Sequence, residues 1–275
     1  EPRVNVAILV VPEVTASAAY AMYDLFAAAG RDWAFITTGV PGEQRMQPYI
    51  VARDCAPDLS ANGIPDPPRS LAPNPDFTAV CAPAGIDSSA PCIHAAVAAI
   101  NVARAAEGVK PMVLSSGFGD LTVPEQLLVA VNLERVDRGL TPFAGLTDAL
   151  DQNAQQGADS ADDPPDPGSH YSIADTEWAG GSSNGLDAVY GWMYDDGLGS
   201  GNLDCPKAGV PGCWGHRHGI LDAFGTVGSL VMGAAVNARA DKTTGDDGGT
   251  SIAATFAVSD EPPSAYVYAW TPPGA

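Results

Sequence analysis

Residues 212–221, GCWGHRHGIL, place two histidines one residue apart directly after a cysteine and a tryptophan. The whole chain has only four histidines, so their concentration here points to chemistry. Imidazoles near a thiol can bind a metal ion, form an acid–base pair, or serve as polar side chains at the start of a helix. Because residues i and i+2 of a helix point in different directions, we expect one of the two histidines to belong to a site and the other to be a surface or supporting group.

The composition limits the classes of partner. The 275 residues include 33 acidic and 13 basic side chains, a net charge of −20. Such a surface repels nucleic-acid phosphates and anionic lipid headgroups, so we predict no nucleic-acid partner. Cationic ligands, metal ions or a high-salt habitat fit better. A hydrophobic content of 45% predicts a packed core, while no apolar run reaches the roughly 20 residues of a transmembrane segment.

Four of the five cysteines fall into two close pairs, Cys81 with Cys92 and Cys205 with Cys213. Neither pair has C-x-x-C spacing, so we expect two short disulfide loops, each stabilising by roughly 2.5–3 kcal/mol through chain entropy. The remaining Cys55 is expected to be a buried free thiol. Disulfides predict a secreted or cell-envelope protein. The first residues lack signal-peptide features, and we expect the signal to be absent from the mature chain.

The N-terminal part predicts a β-α-β unit. Residues 4–11 are an apolar run typical of a strand buried on both faces, 15–30 have helical character, and 33–37 form a second strand. A lone unit of this kind cannot cover both sheet faces by itself. A Pro- and Asp-rich linker follows, and it gives two predicted domains, 1–75 and 76–275.

The larger domain alternates helical patterns with strands. Two helices are predicted to end at Gly108 and Gly139, each followed by a proline three residues on. The second of them opens with a capping box from Thr122 to Glu125. Helical spacing recurs over 184–194, and three C-terminal segments read as strands: 230–237, 252–258 and 266–270.

Five motifs occur in a characteristic order: VNLERVDRGLTPF (131–143), LDQNAQQGADSA (150–161), EWAGG (177–181), GWM (191–193) and GHRHGIL (215–221). Together they resemble the cysteine-rich secretory (CAP) superfamily over about residues 76–275. The resemblance implies an α/β fold of the α-β-α sandwich type. It also implies a shallow cleft lined by two histidines and two acidic residues.

The resemblance transfers to four residues of this sequence. His216 matches the histidine of the family's G-H motif, and Glu177 matches the glutamate of its G-E-N motif. His170, seven residues before Glu177, matches the first cleft histidine. Asp195, three residues after Trp192, matches the second acid. The predicted binding cleft is therefore His170, Glu177, Asp195 and His216.

Three kinds of chemistry remain open for these four groups. With His170 and His216 as ligands they suit zinc or another divalent metal, and Glu177 would then be a ligand or a general base. Without metal they can form a hydrogen-bonded acid–base cluster. They can also serve only local hydrogen bonding. We further expect the Cys205–Cys213 loop to present His216, with Trp214 packing that loop.

Residues 1–75 resemble the opening of the class I glutamine-amidotransferase-like superfamily, which includes intracellular amidase-like proteins. The resemblance lies in the first strand, the P-x-V-T turn and the helix that ends in A-A-A-G. That family needs a nucleophilic cysteine on a strand-to-helix elbow. Cys81, in AVCAPAG, lacks the glycine-flanked turn. We therefore do not expect amidase chemistry.

Three functional hypotheses follow. The favoured one is a secreted CAP-superfamily protein that binds an apolar or envelope-derived ligand, such as a lipid or cell-wall component. The alternative is a metal-dependent hydrolase that uses the same cleft, with Glu177 as the catalytic candidate. The third is a structural or interaction protein of the cell envelope. The sequence leaves open the choice between enzyme and binding protein, the ligand, and the oligomeric state.

Overall fold

The computed structural model describes residues 4–10, 26, 46–52, 64, 66–67, 79–210, 212–224, 228–238, 250–260 and 262–272. The chain folds as two compact units, Glu1–Pro68 and Arg69–Ala275. Each unit is described by itself below. None of the helices in these ranges has the length and apolar character needed to cross a membrane.

The described residues of the N-terminal unit form two strands, β1 (Val4–Val10) and β2 (Met46–Ala52). They pair in parallel and without a register shift, with Val4 opposite Met46 and Val10 opposite Ala52. The predicted first strand is therefore confirmed. The predicted helix 15–30 lies outside the described residues except for Phe26, which is helical. The predicted strand 33–37 and Cys55 also lie outside them.

The second unit contains five described α-helices: α1 (Ala90–Ala106), α2 (Val123–Val136), α3 (Asp148–Ser160), α4 (Gly185–Tyr194) and α5 (Gly215–Leu221). The predicted capping box opens α2, where the Thr122 N–H donates to Glu125 Oε2 at 2.8 Å. Gly108 and Gly139 follow the ends of α1 and α2 in the left-handed conformation, with φ of 73° and 79°. These sequence signals are confirmed as helix boundaries.

Five strands of this unit form one sheet: β3 (Gly145–Leu146), β4 (Tyr171–Gly180), β5 (Ser229–Asn237), β6 (Ser251–Ser259) and β7 (Tyr268–Ala269). Their order is β4-β6-β5-β3-β7. Strand β6 pairs antiparallel with both β4 and β5, whereas β3 runs parallel to β5. The predicted strands 230–237 and 252–258 are confirmed, and the one over 266–270 shortens to two residues.

The alternation of side chains along the strands gives the sheet two buried faces. Helix α3 covers one of them, where Leu150 and Ala154 pack against small residues of β5 and β6: Val231, Ala235, Ala253 and Ala257. Helix α2 contacts β5, and α4 and α5 contact β4. The stack of Phe143 on Phe256, with ring centroids 5.2 Å apart, lies on the second face. Helices on both faces of a mixed sheet confirm the α/β class.

Both predicted disulfides are present, Cys81–Cys92 and Cys205–Cys213. The first joins the chain before α1 to the first turn of that helix. The second closes the loop that leads into α5, so the backbone just before His216 is constrained by a covalent bond.

Candidate functional site: a buried glutamate beside His216

Helix α5 brings His216 to Glu177 of strand β4. The His216 Nε2 atom lies 3.7 Å from Glu177 Oε2. The Glu177 residue is only 1% exposed, whereas the His216 side chain is 28% exposed. Within the described ranges, neither carboxylate oxygen of Glu177 has a hydrogen-bond partner. The site is therefore a buried acid reached past a half-buried imidazole.

Asp196 fixes the imidazole from its other side. Its carboxylate accepts from the His216 backbone N–H at 3.0 Å and lies 2.8 Å from Nδ1. This contact places the proton on Nδ1 and sets the ring orientation, so Nε2 faces Glu177. Asp196 is itself 2% exposed and accepts from the Asn202 side-chain amide at 2.6 Å. Asn202 therefore fixes Asp196, and Asp196 fixes the imidazole that faces Glu177.

The predicted acidic residue Asp195 is replaced in this role by its neighbour. Helix α4 ends at Tyr194, and Asp195 occupies the cap position with φ −128° and ψ 38°. Asp195 is half-buried, whereas Asp196 is buried and makes the hydrogen bonds with His216. A motif alignment gives the end of the helix, but it does not show which of two consecutive aspartates turns inward.

His170 is the second prediction that the geometry corrects. It precedes β4, is exposed, and its carbonyl accepts from the Asp260 N–H at 3.2 Å. Glu177 lies on the same strand, and a strand rises about 3.3 Å per residue, so roughly 20 Å separate the two residues. The structure therefore does not bring His170 to Glu177 or to His216. The sequence separation looked short, but an extended strand spans it.

The predicted metal pair His170 and His216 is consequently not formed. Among the described residues, the group of three side chains whose ligand atoms lie within 4.8 Å of one another is Cys81, Asp87 and Cys92. The two sulfurs of this group are joined to each other in a disulfide, so neither is a thiolate that can bind a metal. Around His216 the described part of the chain offers no third ligand close to both Nε2 and Glu177. These residues do not fit the usual ligand set of zinc.

Two buried arginines hold α5 in place. A seven-residue helix is too short to be stable alone, so its position depends on tertiary contacts. Arg217 donates to the Met193 carbonyl at 2.7 Å and pairs with Glu107 at 2.7 Å. At the other end, Arg135 donates to the Ile220 carbonyl at 2.6 Å, satisfying a carbonyl that the helix leaves unpaired. Neither arginine is among the residues predicted from the sequence, although each lies inside one of the five motifs.

Gly219 faces the two acidic side chains of β4. A Cβ atom at this position would lie 2.2 Å from Glu177 Oε1 and 2.7 Å from Asp175 Oδ2. Both distances are far below van der Waals contact, so only glycine leaves room for the two carboxylates here. Asp175 and Glu177 are two residues apart on one face of β4, which makes them close neighbours beneath α5.

The electrostatics of the site favour an imidazolium beside acids of raised pKa. Burial raises the pKa of the Glu177 carboxyl well above its usual range, and the charges of Asp175, Asp196 and Asp163 add to this, while His216 lowers it. Burial lowers the pKa of His216, but the Asp196 hydrogen bond and then the Glu177 charge outweigh it and bring the value to about 9. His216 is therefore protonated at neutral pH.

The loop before α5 is built as the sequence predicts. Trp214 is 5% exposed and packs on Gly197, where a Cβ atom would lie 2.2 Å from the indole ring. Its backbone N–H donates to the Asp196 carbonyl at 3.3 Å, which links the loop to the residue that orients the imidazole. Of the two histidines of α5, His218 is the exposed one.

Comparison of the chain with protein families, curated proteins and solved structures finds no significant match. Function must therefore be argued from the site. Chemically, His216 offers an N–H donor at Nε2 and Glu177 offers acceptor oxygens on the opposite side of a narrow gap. A ligand hydroxyl or amine can meet one or both of these groups.

Proposed function

We propose that this chain is a secreted binding protein of the CAP superfamily type, which holds the polar head of an apolar or envelope-derived ligand at His216 and Glu177. The observation that carries the proposal is the buried Glu177 carboxylate, which has no hydrogen-bond partner in the described part of the chain. A buried polar group in this state costs free energy. A ligand that donates to it removes that cost.

The geometry suits a small polar head. The 3.7 Å between His216 Nε2 and Glu177 Oε2 exceeds the length of a direct hydrogen bond. A hydroxyl in this position can donate to Glu177 and accept from the imidazolium. The exposed edge of His216 is the side from which such a group can approach.

An apolar residue beside the cleft supports an apolar ligand body. Leu203 is 93% exposed and lies two residues before Cys205, whose disulfide with Cys213 closes the loop leading into α5. Its neighbour Asn202 donates a side-chain hydrogen bond to Asp196 at 2.6 Å, and Asp196 in turn contacts His216. Leu203 is therefore one residue away from the contacts that orient the imidazole.

Sequence and covalent structure support the family and the location. The five quoted motifs occur in the CAP order, and the helices lie on both faces of the sheet, as an α-β-α sandwich requires. Two disulfides fit a chain that matures in an oxidising compartment.

Binding of a dodecyl alcohol carrying a terminal pyrene, followed by fluorescence below its self-association concentration, tests the proposal. We expect saturable binding of one probe per chain. We expect His216→Gln and Glu177→Gln each to weaken it at least tenfold, the loss of about 1.4 kcal/mol. His218→Gln, two residues from the site on the exposed side of α5, is the matched control and should bind like the wild type.

The outcome that overturns the proposal is equal binding, or equal lack of binding, by all four proteins. That result would favour the structural or interaction role, which predicts indifference to changes at His216 and Glu177.

A hydrolase is the second candidate, because the Asp196–His216 hydrogen bond orients an imidazole as acid–base catalysis requires. The metal-dependent form lacks its predicted second histidine, so no step is assigned to a metal. Turnover of the nitrophenyl ester of dodecanoic acid, lost in Glu177→Gln while the fold persists, would support hydrolysis. Absence of turnover in the wild type would leave binding as the function.

A further inference from the structure

We infer that Glu107, at the C-terminal end of α1, is a positioning residue of the cleft: it holds Arg217 of α5 and thereby sets the position of His216, the preceding residue, and the affinity of the cleft for its ligand. This inference rests on the proposed binding function. Glu107 belongs to none of the elements that carry Glu177, Asp196 and His216, so it acts at a distance from the cleft.

His216 and Arg217 point to different sides of α5, because successive residues of a helix are about 100° apart. While His216 faces the cleft, Arg217 is 1% exposed and extends towards α1 and α4. Its Nη1 donates to the Met193 carbonyl at 2.7 Å, and its Nη2 lies 2.7 Å from Glu107 Oε1. A helix of seven residues depends on such contacts for its position.

The Glu107 carboxylate is itself fixed. Its Oε2 accepts from Arg138 Nη2 at 2.5 Å, so its two oxygens contact two different arginines. The backbone of Glu107 forms the C-cap of α1, where its N–H donates to the Ala103 carbonyl at 3.3 Å. Its side chain is 13% exposed. A carboxylate held from the backbone and by a second arginine can fix the position of Arg217.

The location of Glu107 breaks a local preference of helices. The C-terminal end of a helix carries partial negative charge, which favours cations and disfavours acidic side chains. Glu107 nevertheless occupies the C-cap of α1. A residue that breaks a local rule usually meets a requirement set elsewhere in the fold. Here that requirement is the buried guanidinium of Arg217.

A small displacement of Arg217 reaches the imidazole through the backbone. The His216 N–H donates to Asp196 at 3.0 Å, and Nδ1 lies 2.8 Å from the same carboxylate. A shift of about 1 Å would take both distances beyond hydrogen-bond length. It would also change the 3.7 Å gap between Nε2 and Glu177, where we propose that the ligand head group binds.

Asp137 provides a matched control for Glu107. It occupies the corresponding C-cap of α2, its side chain is 6% exposed, and it pairs with Arg104 and Lys110. Neither of these partners belongs to α5. Glu107→Gln and Asp137→Asn therefore make the same chemical change at equivalent helix ends, and the link to α5 is the difference between them.

The test measures two properties of the cleft in each variant: the affinity for the dodecyl alcohol that carries a terminal pyrene, and the NMR titration midpoint of the His216 ring. We expect Glu107→Gln to weaken binding by about fivefold or more. It should also lower the midpoint from its value near pH 9, because the Asp196 hydrogen bond weakens. Asp137→Asn should leave both properties unchanged, although both variants lose stability.

A double-substitution cycle identifies the route of the effect. Arg217→Lys keeps the charge but removes the fork that reaches both Glu107 and the Met193 carbonyl. It should weaken binding as well. Adding Glu107→Gln to Arg217→Lys should cost less affinity than Glu107→Gln costs alone, because both act through one contact. Fully additive losses would contradict the inference.

The outcomes separate this inference from the binding function. If the wild type binds the probe, and Glu107→Gln matches it in affinity and in midpoint or changes them no more than Asp137→Asn does, the positioning role is overturned and the binding function stands. If the wild type does not bind, the binding function falls, and the His216 midpoints alone decide the positioning role. Circular dichroism shows which variants fold. If Glu107→Gln does not, Arg217→Lys is compared with the wild type in the same measurements, and unchanged values overturn the inference.

Discussion

Two glutamates of this protein are equally buried but differ in the number of their hydrogen-bond and ion-pair partners. Glu134 of α2 is 0% exposed, and its Oε2 accepts from the Tyr194 hydroxyl at 2.8 Å and lies 3.0 Å from Arg104 Nη1. Arg138 also pairs with it. Glu177 is 1% exposed, and neither of its oxygens has a hydrogen-bond partner among the described residues, whereas Glu134 lacks one only at Oε1. The ion-pair contact of Glu177 is with His216 alone, at 3.7 Å. Burial alone does not mark a functional site; a buried carboxyl group without hydrogen bonds at either oxygen is the more informative signal.

The Glu134 cluster joins the helices that support the cleft. It links α1 through Arg104, α2 through Glu134, and α4 through Tyr194, with Arg138 of the turn after α2 also bound to Glu134. Arg138 also pairs with Glu107, which in turn holds Arg217 of α5. Charges in this cluster partner one another, so its role is to fix the helices. Glu177 has no such set of partners, and we propose that a ligand supplies them.

The largest expected change in the free energy of unfolding comes from substituting Glu134. Glu134→Gln removes the charge that neutralises Arg104 and Arg138, both of which are nearly inaccessible to water. Breaking a buried ion pair on one side costs about 3–5 kcal/mol. Chemical denaturation should show a fall of this size in the free energy of unfolding. A loss below about 1 kcal/mol would mean that the cluster is not structural.

The next effect is steric. Gly219→Ala places a methyl group against the carboxylates of Glu177 and Asp175 and should cost about 1–3 kcal/mol of unfolding free energy, with weaker probe binding. Gly191→Ala is the matched control, because a Cβ there meets nothing within 4 Å. This second variant should be neutral or stabilised by about 0.5–1 kcal/mol through helix propensity. Similar destabilisation of both variants would contradict the close packing of the acids.

Glu177→Gln should act in the opposite direction to Glu134→Gln. Burial raises the pKa of Glu177, so its contribution to stability is present at low pH and is lost as pH rises through that raised pKa. Removing the charge should therefore increase the free energy of unfolding at pH 8 by about 1 kcal/mol or more. The gain should vanish near pH 3, where Glu177 is protonated in both states. Denaturation at the two pH values measures it.

His216 gives the smallest and most specific effect. Its pKa is about 9 in the folded protein, above the usual value of about 6.5. The stabilisation it provides is therefore complete below pH 6.5 and is lost as pH rises through 9. The difference in unfolding free energy between wild type and His216→Gln should shrink accordingly between pH 6 and pH 10.

A direct titration checks the cause of this shift. In NMR spectra the His216 ring protons should titrate with a midpoint near pH 9, and Asp196→Asn should lower the midpoint because it removes the hydrogen-bonded charge. A midpoint near 6.5 in both proteins would contradict the Asp196–His216 pairing.

Much of the second unit could be predicted locally. Gly108, Gly139 and the Thr122 capping box mark helix ends because they act within one turn of backbone. Close cysteine spacing gave both disulfides for the same reason. Strands 230–237 and 252–258 were recognisable from apolar runs between turns. Each of these signals depends only on neighbouring residues.

The cleft was predictable only in part. His216 and Glu177 were identified through motifs, and the structure brings them together. Asp195 and His170 were also predicted for the cleft, but they do not contact His216. The position of Asp195 depends on how the chain turns at the end of α4, and that of His170 depends on the extended length of β4. The steric role of Gly219 depends on the approach of a helix to a strand distant in sequence. No local pattern contains that information.

Thermal unfolding of wild type and Glu177→Gln, with and without the dodecyl alcohol that carries a terminal pyrene, tests the central claim most directly. A ligand that binds only the folded state raises the melting temperature. We predict that Glu177→Gln melts higher than wild type without probe at pH 8, and that the probe raises the melting temperature of wild type much more than that of the variant. Equal shifts in both proteins, or a variant that melts lower, would contradict the claim that Glu177 is kept unsatisfied for a ligand.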